Sequence, residues 1–145
     1  MSRALVDTGA IVALVNRADR FHGEAVEWFK HFRGQLLTTE AVITEAAYVL
    51  AASPVHQHAA LLWCERARAA GLLSVEPVAD YAVLARIIAQ YASLPCDYAD
   101  ASLIALAERA GVAAIATIDQ RDFSVYRLRG RKRFRILLGK DDGRN

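Results

Sequence analysis

Ala4-Leu5-Val6-Asp7-Thr8-Gly9 opens the chain with a short apolar run that stops at an acid. Ile11, Leu14 and Val15 then fall on one side of a helix-like segment over residues 9–15, so this stretch reads as strand, turn, helix. The same alternation continues downstream. Residues 22–32 place Ala25, Trp28, Phe29 and Phe32 at spacings of three and four, an amphipathic helix ended by Gly34. Residues 35–38 form a second strand, and Thr39 is a good N-cap for a helix over residues 40–52. That helix stops ahead of Pro54, because a proline disfavours helical geometry in the residue before it. A helix over residues 55–70 ends at Gly71, a third strand covers 72–75, and helices follow over 78–91 and 97–110, the latter closed by Gly111. Residues 113–118 make a fourth strand ending at Asp119, and 134–138 a fifth, with arginines on its exposed face or in the preceding loop. Strands alternating with helices predict the α/β class, with a parallel sheet covered on both faces.

At 145 residues the chain has the size of a single domain. A composition of 54% hydrophobic and 23% charged residues excludes intrinsic disorder. One domain is expected over residues 1–139, with a flexible tail over 140–145. Cys64 and Cys96 are too few for a disulfide framework and lack the paired spacing of a zinc site, so both read as reduced thiols in or near the core. No segment approaches the roughly 20 apolar residues of a membrane span, and no export signal precedes the first strand. The expectation is a soluble cytoplasmic protein. Net charge is only +2, yet Arg127, Arg129, Arg131, Lys132, Arg133 and Arg135 crowd near the C-terminal end.

In an open parallel sheet, ligands bind beyond the carboxyl ends of the strands. Asp7 and Asp119 both stand at that edge, although an acid after a strand is also a common helix N-cap. Glu45 is the only charged residue over residues 41–52 and shares a helical face with Ala41, Val42, Tyr48 and Val49. Asp100 lies on one face with Ile104 and Ala107. An ionised carboxylate on a core-facing stripe costs several kcal/mol unless a cation, proton or donor compensates it. Neither acid has a lysine or arginine within a turn of its own helix. A divalent cation would relieve the repulsion among converging carboxylates and accept their hard oxygens, which makes magnesium the natural occupant. Such an ion activates water and stabilises charge on a phosphodiester, above all when two ions sit roughly 4 Å apart. Asp97 and Asp122 are candidate outer ligands, but acids near helix N-termini have a structural role first.

Taken in order, four stretches resemble the PIN-domain family and, within it, the VapC-like toxins of prokaryotic toxin-antitoxin pairs. They are Leu5-Val6-Asp7-Thr8-Gly9, the run from Thr38 through Glu45 to Ala46, the run from Asp97 through Asp100 to Ala107, and Ala116-Thr117-Ile118-Asp119-Gln120-Arg121-Asp122-Phe123. Each is weak alone; the four together span nearly the whole chain. The resemblance implies a three-layer α/β/α sandwich around a short, mainly parallel sheet of four or five strands. It also implies that Asp7, Glu45, Asp100 and Asp119 form an acidic catalytic quartet, with Asp7, Asp100 and Asp119 as metal ligands and Thr117 positioning water or metal. The implied activity is a Mg2+- or Mn2+-dependent endoribonuclease, homodimeric and inhibited by a cognate antitoxin protein. One departure is Gly9, where many relatives carry a serine.

Arg121, Arg131, Lys132 and Arg133 are candidate RNA contacts, since phosphate attraction scales with clustered positive charge. Phe123, Tyr126 and Phe134 interleave with that charge, but aromatic residues at this spacing are more often core than base-stacking platforms. His22, His31, His56 and His58 show no metal-binding arrangement, and Trp28 and Trp63 read as packing residues, in the core or at a dimer interface. A haloacid-dehalogenase-like phosphotransferase would need a second acid where Gly9 sits, and a receiver domain an Asp where Glu76-Pro77 follows the third strand. The remaining alternative is a catalytically silent PIN-like module that binds RNA or a protein partner.

Overall fold

The computed structural model describes residues 2–78 and 80–138. Its strands are β1 (Ser2–Val6), β2 (Gly34–Thr39), β3 (Leu73–Glu76), β4 (Ala114–Ala116), β5 (Arg127–Leu128), β6 (Lys132–Arg133) and β7 (Arg135–Ile136). Its helices are α1 (Thr8–Val15), α2 (His22–His31), α3 (Glu40–Val49), α4 (Pro54–Ala69), α5 (Tyr81–Gln90), α6 (Tyr98–Ala110) and α7 (Gln120–Phe123). Five strands form one wholly parallel sheet in the order β3-β2-β1-β4-β7, and β5 pairs with β6 as a separate antiparallel hairpin. This is the expected three-layer α/β/α architecture. Right-handed crossovers put α1 to α4 on one face and α5 and α6 on the other. The packing agrees in the main, with α1 against α2, α3 and α4, and α5 against α6, while α3 also packs against α6.

The apolar runs are continuous rather than alternating because the sheet is covered on both sides. Ala4, Leu5, Val6, Leu36, Ile115 and Ala116 have no exposed surface and belong to one hydrophobic cluster running through the described residues. Gly34 starts β2 opposite Ser2 at φ +153, where a Cβ would run into the Ser2 carbonyl, so only glycine lets the two strands begin together. Helix starts follow local chemistry: Thr39 accepts from the amide of Val42, Asp97 accepts from that of Asp100, and Pro54 occupies the first turn of α4 behind Ser53. Gly111, at φ 69, ends α6.

Several boundaries differ from expectation. The helix expected from residue 78 begins at Tyr81, because the Asp80 carboxylate accepts from the Val83 amide and caps it there. The fourth strand ends at Ala116 rather than 118, since the Thr117 hydroxyl takes the Asp119 amide and bends the chain out of the sheet. The fifth strand shortens to Arg135–Ile136, and the β5–β6 hairpin and the single turn α7 were not foreseen, since two to four residues are too few for a hydrophobic period to register. On α3 the buried stripe is Val42, Ala46 and Leu50; Tyr48 and Val49, expected on the core side with Glu45, are 80% and 54% exposed. The tail expected over residues 140–145 lies outside the described residues. No helix among the described residues is long and apolar enough to cross a membrane.

Candidate active site

Strand order reverses direction between β1 and β4: β2 and β3 extend the sheet on one side and β7 on the other. Such a switch point opens a crevice at the carboxyl edge. Asp7 follows β1 there and is only 6% exposed. Its Oδ1 accepts from the Thr8 amide at 2.7 Å and its Oδ2 from the Thr117 hydroxyl at 2.8 Å. Thr117, fully buried, accepts in turn from the Asp119 amide at 2.9 Å, so one hydroxyl ties the ends of β1 and β4 together. Asp119 also caps α7 by accepting from the Asp122 amide.

The other two acids enter from the helical layers. Glu45, half-buried on α3, accepts from the Thr8 hydroxyl at 2.8 Å through Oε1. Asp100, in the first turn of α6, accepts from the Tyr126 hydroxyl at 3.1 Å through Oδ2. Asp97 is the exposed N-cap of α6, and Asp122 lies in the first turn of α7, so both keep the structural role expected of them while remaining beside the cluster.

These acids act on one another in pairs. Burial pushes the Asp7 carboxyl up to about 6, against its hydrogen bonds from Thr117 and Thr8, with Glu45 and Asp119 adding repulsion. Burial likewise raises Asp100 to about 8, aided by Asp7 and Asp97. Glu45 is raised by burial and by Asp97, and Asp122 by burial and Asp119. The ion pairs among the described residues, Lys30–Glu27, His31–Glu27 and Arg86–Glu108, involve none of these acids. The cluster is therefore short of positive charge.

The donors fit a hard cation that retains much of its water. Among the described residues, no three His, Cys, Asp or Glu side chains stand close enough to cage a metal by themselves. Mg2+ does not need a cage, since it is usually held by one or two carboxylates and keeps several waters. Asp7, Asp100 and Asp119 are the carboxylates that could offer such oxygens to a hydrated ion.

The basic candidates divide. Arg121 is exposed on α7, next to Asp119 and Asp122. Lys132 and Arg133 instead gather with Arg3 and Arg135 around the backbone of residues 111–114, in a shallow concavity of about 400 Å³. This is past the far end of α6, ten residues or about 15 Å from Asp100 at the helical rise of 1.5 Å per residue. Arg131 is exposed on the same hairpin. Lys132 and Arg133 are thus not beside the acids; the chain turns at Arg129 and Gly130, both at positive φ, before it reaches them. Phe123, Tyr126 and Phe134 are core, as weighed, and so are both cysteines, whose thiols burial raises, Cys96 to about 11.

Two hydroxyls at the site were missed by the sequence reading: those of Thr8 and Tyr126. Thr8 had a signal in its place directly after Asp7; Tyr126 reaches Asp100 across 26 residues and had none. Gly9 also gains a reason, since a Cβ there would stand 2.6 Å from Ile118 Cγ1. Gly9→Ala is expected to cost about 1–3 kcal/mol by overpacking. In a urea-denaturation double-mutant cycle, Ile118→Ala should recover part of that loss; strictly additive losses would contradict the clash.

Fold and site together define a small α/β domain with an acidic crevice at its switch point, and the chain belongs to the PIN domain family, whose model matches residues 4–128. Ribonuclease VapC26 of Mycobacterium tuberculosis (strain ATCC 25618 / H37Rv) is 28% identical over 133 residues, covering 92% of this chain and 98% of that protein. The crystal structure of Mycobacterium tuberculosis VapC20, described as a Sarcin-Ricin loop cleaving toxin, superposes with a TM-score of 0.71 at 20% identity, over 83% of this chain and 92% of that one. At that identity the likeness concerns the fold.

Proposed function

We propose that this protein is a Mg2+- or Mn2+-dependent endoribonuclease, the toxin of a toxin-antitoxin pair, working in the cytoplasm as a homodimer held in check by a cognate antitoxin. The observation that carries the reading is the group of carboxylates at the β1/β4 switch point, none of which forms an ion pair with a lysine or arginine among the described residues. The name of the relative VapC26 supports RNA as the substrate.

Asp7, Asp100 and Asp119 would hold a divalent ion, in part through its own waters. A bound divalent ion supplies positive charge against the phosphodiester and makes water a stronger nucleophile. Glu45 keeps one carboxylate oxygen on Thr8, and its raised pKa suits it to take the proton from the attacking water. Thr117 holds Asp7 and Asp119 in register, and Asp97 and Asp122 add negative charge at the margin. The exposed apolar side chains Tyr48, Val49, Val55 and Leu61 on α3 and α4 are consistent with a protein-contact surface for the second subunit or the antitoxin.

Purified chain free of antitoxin should cut structured RNA when Mg2+ or Mn2+ is added and stop when a chelator is added. Cutting that persists in chelator would overturn the metal dependence, and none across a broad RNA panel would leave the silent-module alternative. Arg121 contacts RNA near the scissile bond, while Arg131, Lys132 and Arg133 engage the same RNA farther along its backbone. Lys132→Glu with Arg133→Glu should raise KM for long RNA, leave kcat near its starting value, and flatten the salt dependence of log affinity by about 2. An unchanged salt slope would remove that contact.

A further inference from the structure

We infer that Tyr126 is a positioning residue for Asp100, its buried hydroxyl binding one carboxylate oxygen and leaving the other for a cation. The inference rests on the metal-dependent reading above and adds a residue to it.

Tyr126 lies between α7 and β5, has no exposed surface, and is among the largest fully buried side chains. Its ring meets Tyr91 at 4.9 Å and 62° and Phe123 at 5.0 Å and 85°, both edge-on, and Phe123 is braced by Phe134 at 5.4 Å and 89°. Edge contacts on a buried ring fix where its hydroxyl points. A phenylalanine would satisfy all of this packing. The hydroxyl is therefore the part that packing does not explain, and it donates to Asp100 Oδ2 at 3.1 Å.

The Asp100 backbone is set by the first turn of α6, where its amide bonds to Asp97, but a carboxylate there is otherwise free to rotate. Tyr126 removes that freedom from 26 residues away. Hydrogen-bond partners behind a metal-ligating carboxylate commonly change affinity by about 10–100-fold when lost. Tyr91 provides an internal contrast. Its hydroxyl accepts from the Arg127 amide at 2.8 Å, a contact with backbone alone.

The test is Mn2+ binding followed by electron paramagnetic resonance in wild type, Tyr126→Phe and Tyr91→Phe. Tyr126→Phe should weaken Mn2+ by about 10–100-fold, with cleavage recovering at high Mn2+ and KM for RNA unchanged. Tyr91→Phe should lower the melting temperature yet bind Mn2+ within about 2-fold of wild type, since its hydroxyl touches no ligand. Equal Mn2+ affinity in wild type and Tyr126→Phe overturns the role of Tyr126 alone, whereas a wild type that binds no Mn2+ overturns the metal reading with it. Should Tyr126→Phe fail to fold, protein labelled with 3-fluorotyrosine gives a second measurement. The Tyr126 fluorine resonance should move on saturation with Mg2+ more than that of Tyr91, and an unmoved Tyr126 signal overturns the inference.

Discussion

On the proposed reading, Asp7→Asn and Asp100→Asn are each expected to lower RNA cleavage by ~10³-fold or more, equivalent to ~4 kcal/mol of transition-state stabilisation, while the chain keeps its fold. The fold survives because asparagine preserves volume and most of the hydrogen bonds. At position 7 the amide oxygen still accepts from Thr8, and only the Thr117 contact must be remade. At position 100 the amide oxygen can still accept from Tyr126. Alanine is the poorer probe, since it would also remove the α1 cap at Asp7, a loss of about 1 kcal/mol. Activity should fall because each substitution removes a negative oxygen from a site whose cation would be held by very few. Circular dichroism and melting curves establish the fold, and cleavage of the RNA found by panel screening gives the rate. Undiminished cutting by both variants would refute the assignment of these acids.

Removing divalent metal is the second large effect, and its sign depends on pH. Asp7 and Asp100 are raised from 3.8 to about 6 and about 8. Between about pH 4 and about pH 8 the metal-free folded state therefore holds protons that the unfolded chain has already released. More protons bound in the folded state means that stability falls as pH rises through this window. A divalent ion replaces those protons as the neutralising charge, so its benefit is largest at the alkaline end. At a hundred times its dissociation constant it would add about 2.7 kcal/mol. At ~3 °C per kcal/mol for a chain of this size, the melting temperature should rise by ~8 °C near pH 8, with a smaller gain near pH 5. Scanning fluorimetry across pH, in chelator and in Mg2+, measures both trends. A metal-free melting temperature flat across the window, or no response to Mg2+, would contradict the crowding of charge at this site.

Much of this architecture was legible in local patterns. The run ending at Asp7, the N-cap at Thr39 and the glycine after Ala110 each signal their element through chemistry contained within a few residues. Glu45 was singled out partly for the wrong reason: its helix does not turn Tyr48 and Val49 to the core, and the side chain is held at the margin by Thr8. The hairpin carrying Lys132 and Arg133 was read as a strand flank because its pairing is two residues long and leaves no period to detect.

What the amino-acid order determined by itself was the succession of strands and helices, and hence that acids would stand at strand and helix ends. Only the tertiary structure decided which of them meet. Thr117 reaches Asp7 across 110 residues, Thr8 reaches Glu45 across 37, and Tyr126 reaches Asp100 across 26. It also carried the basic cluster to the other end of α6. The physical reason is that periodicity reports which way a side chain faces within its own element, whereas these encounters depend on strand order and on how the layers pack over the sheet.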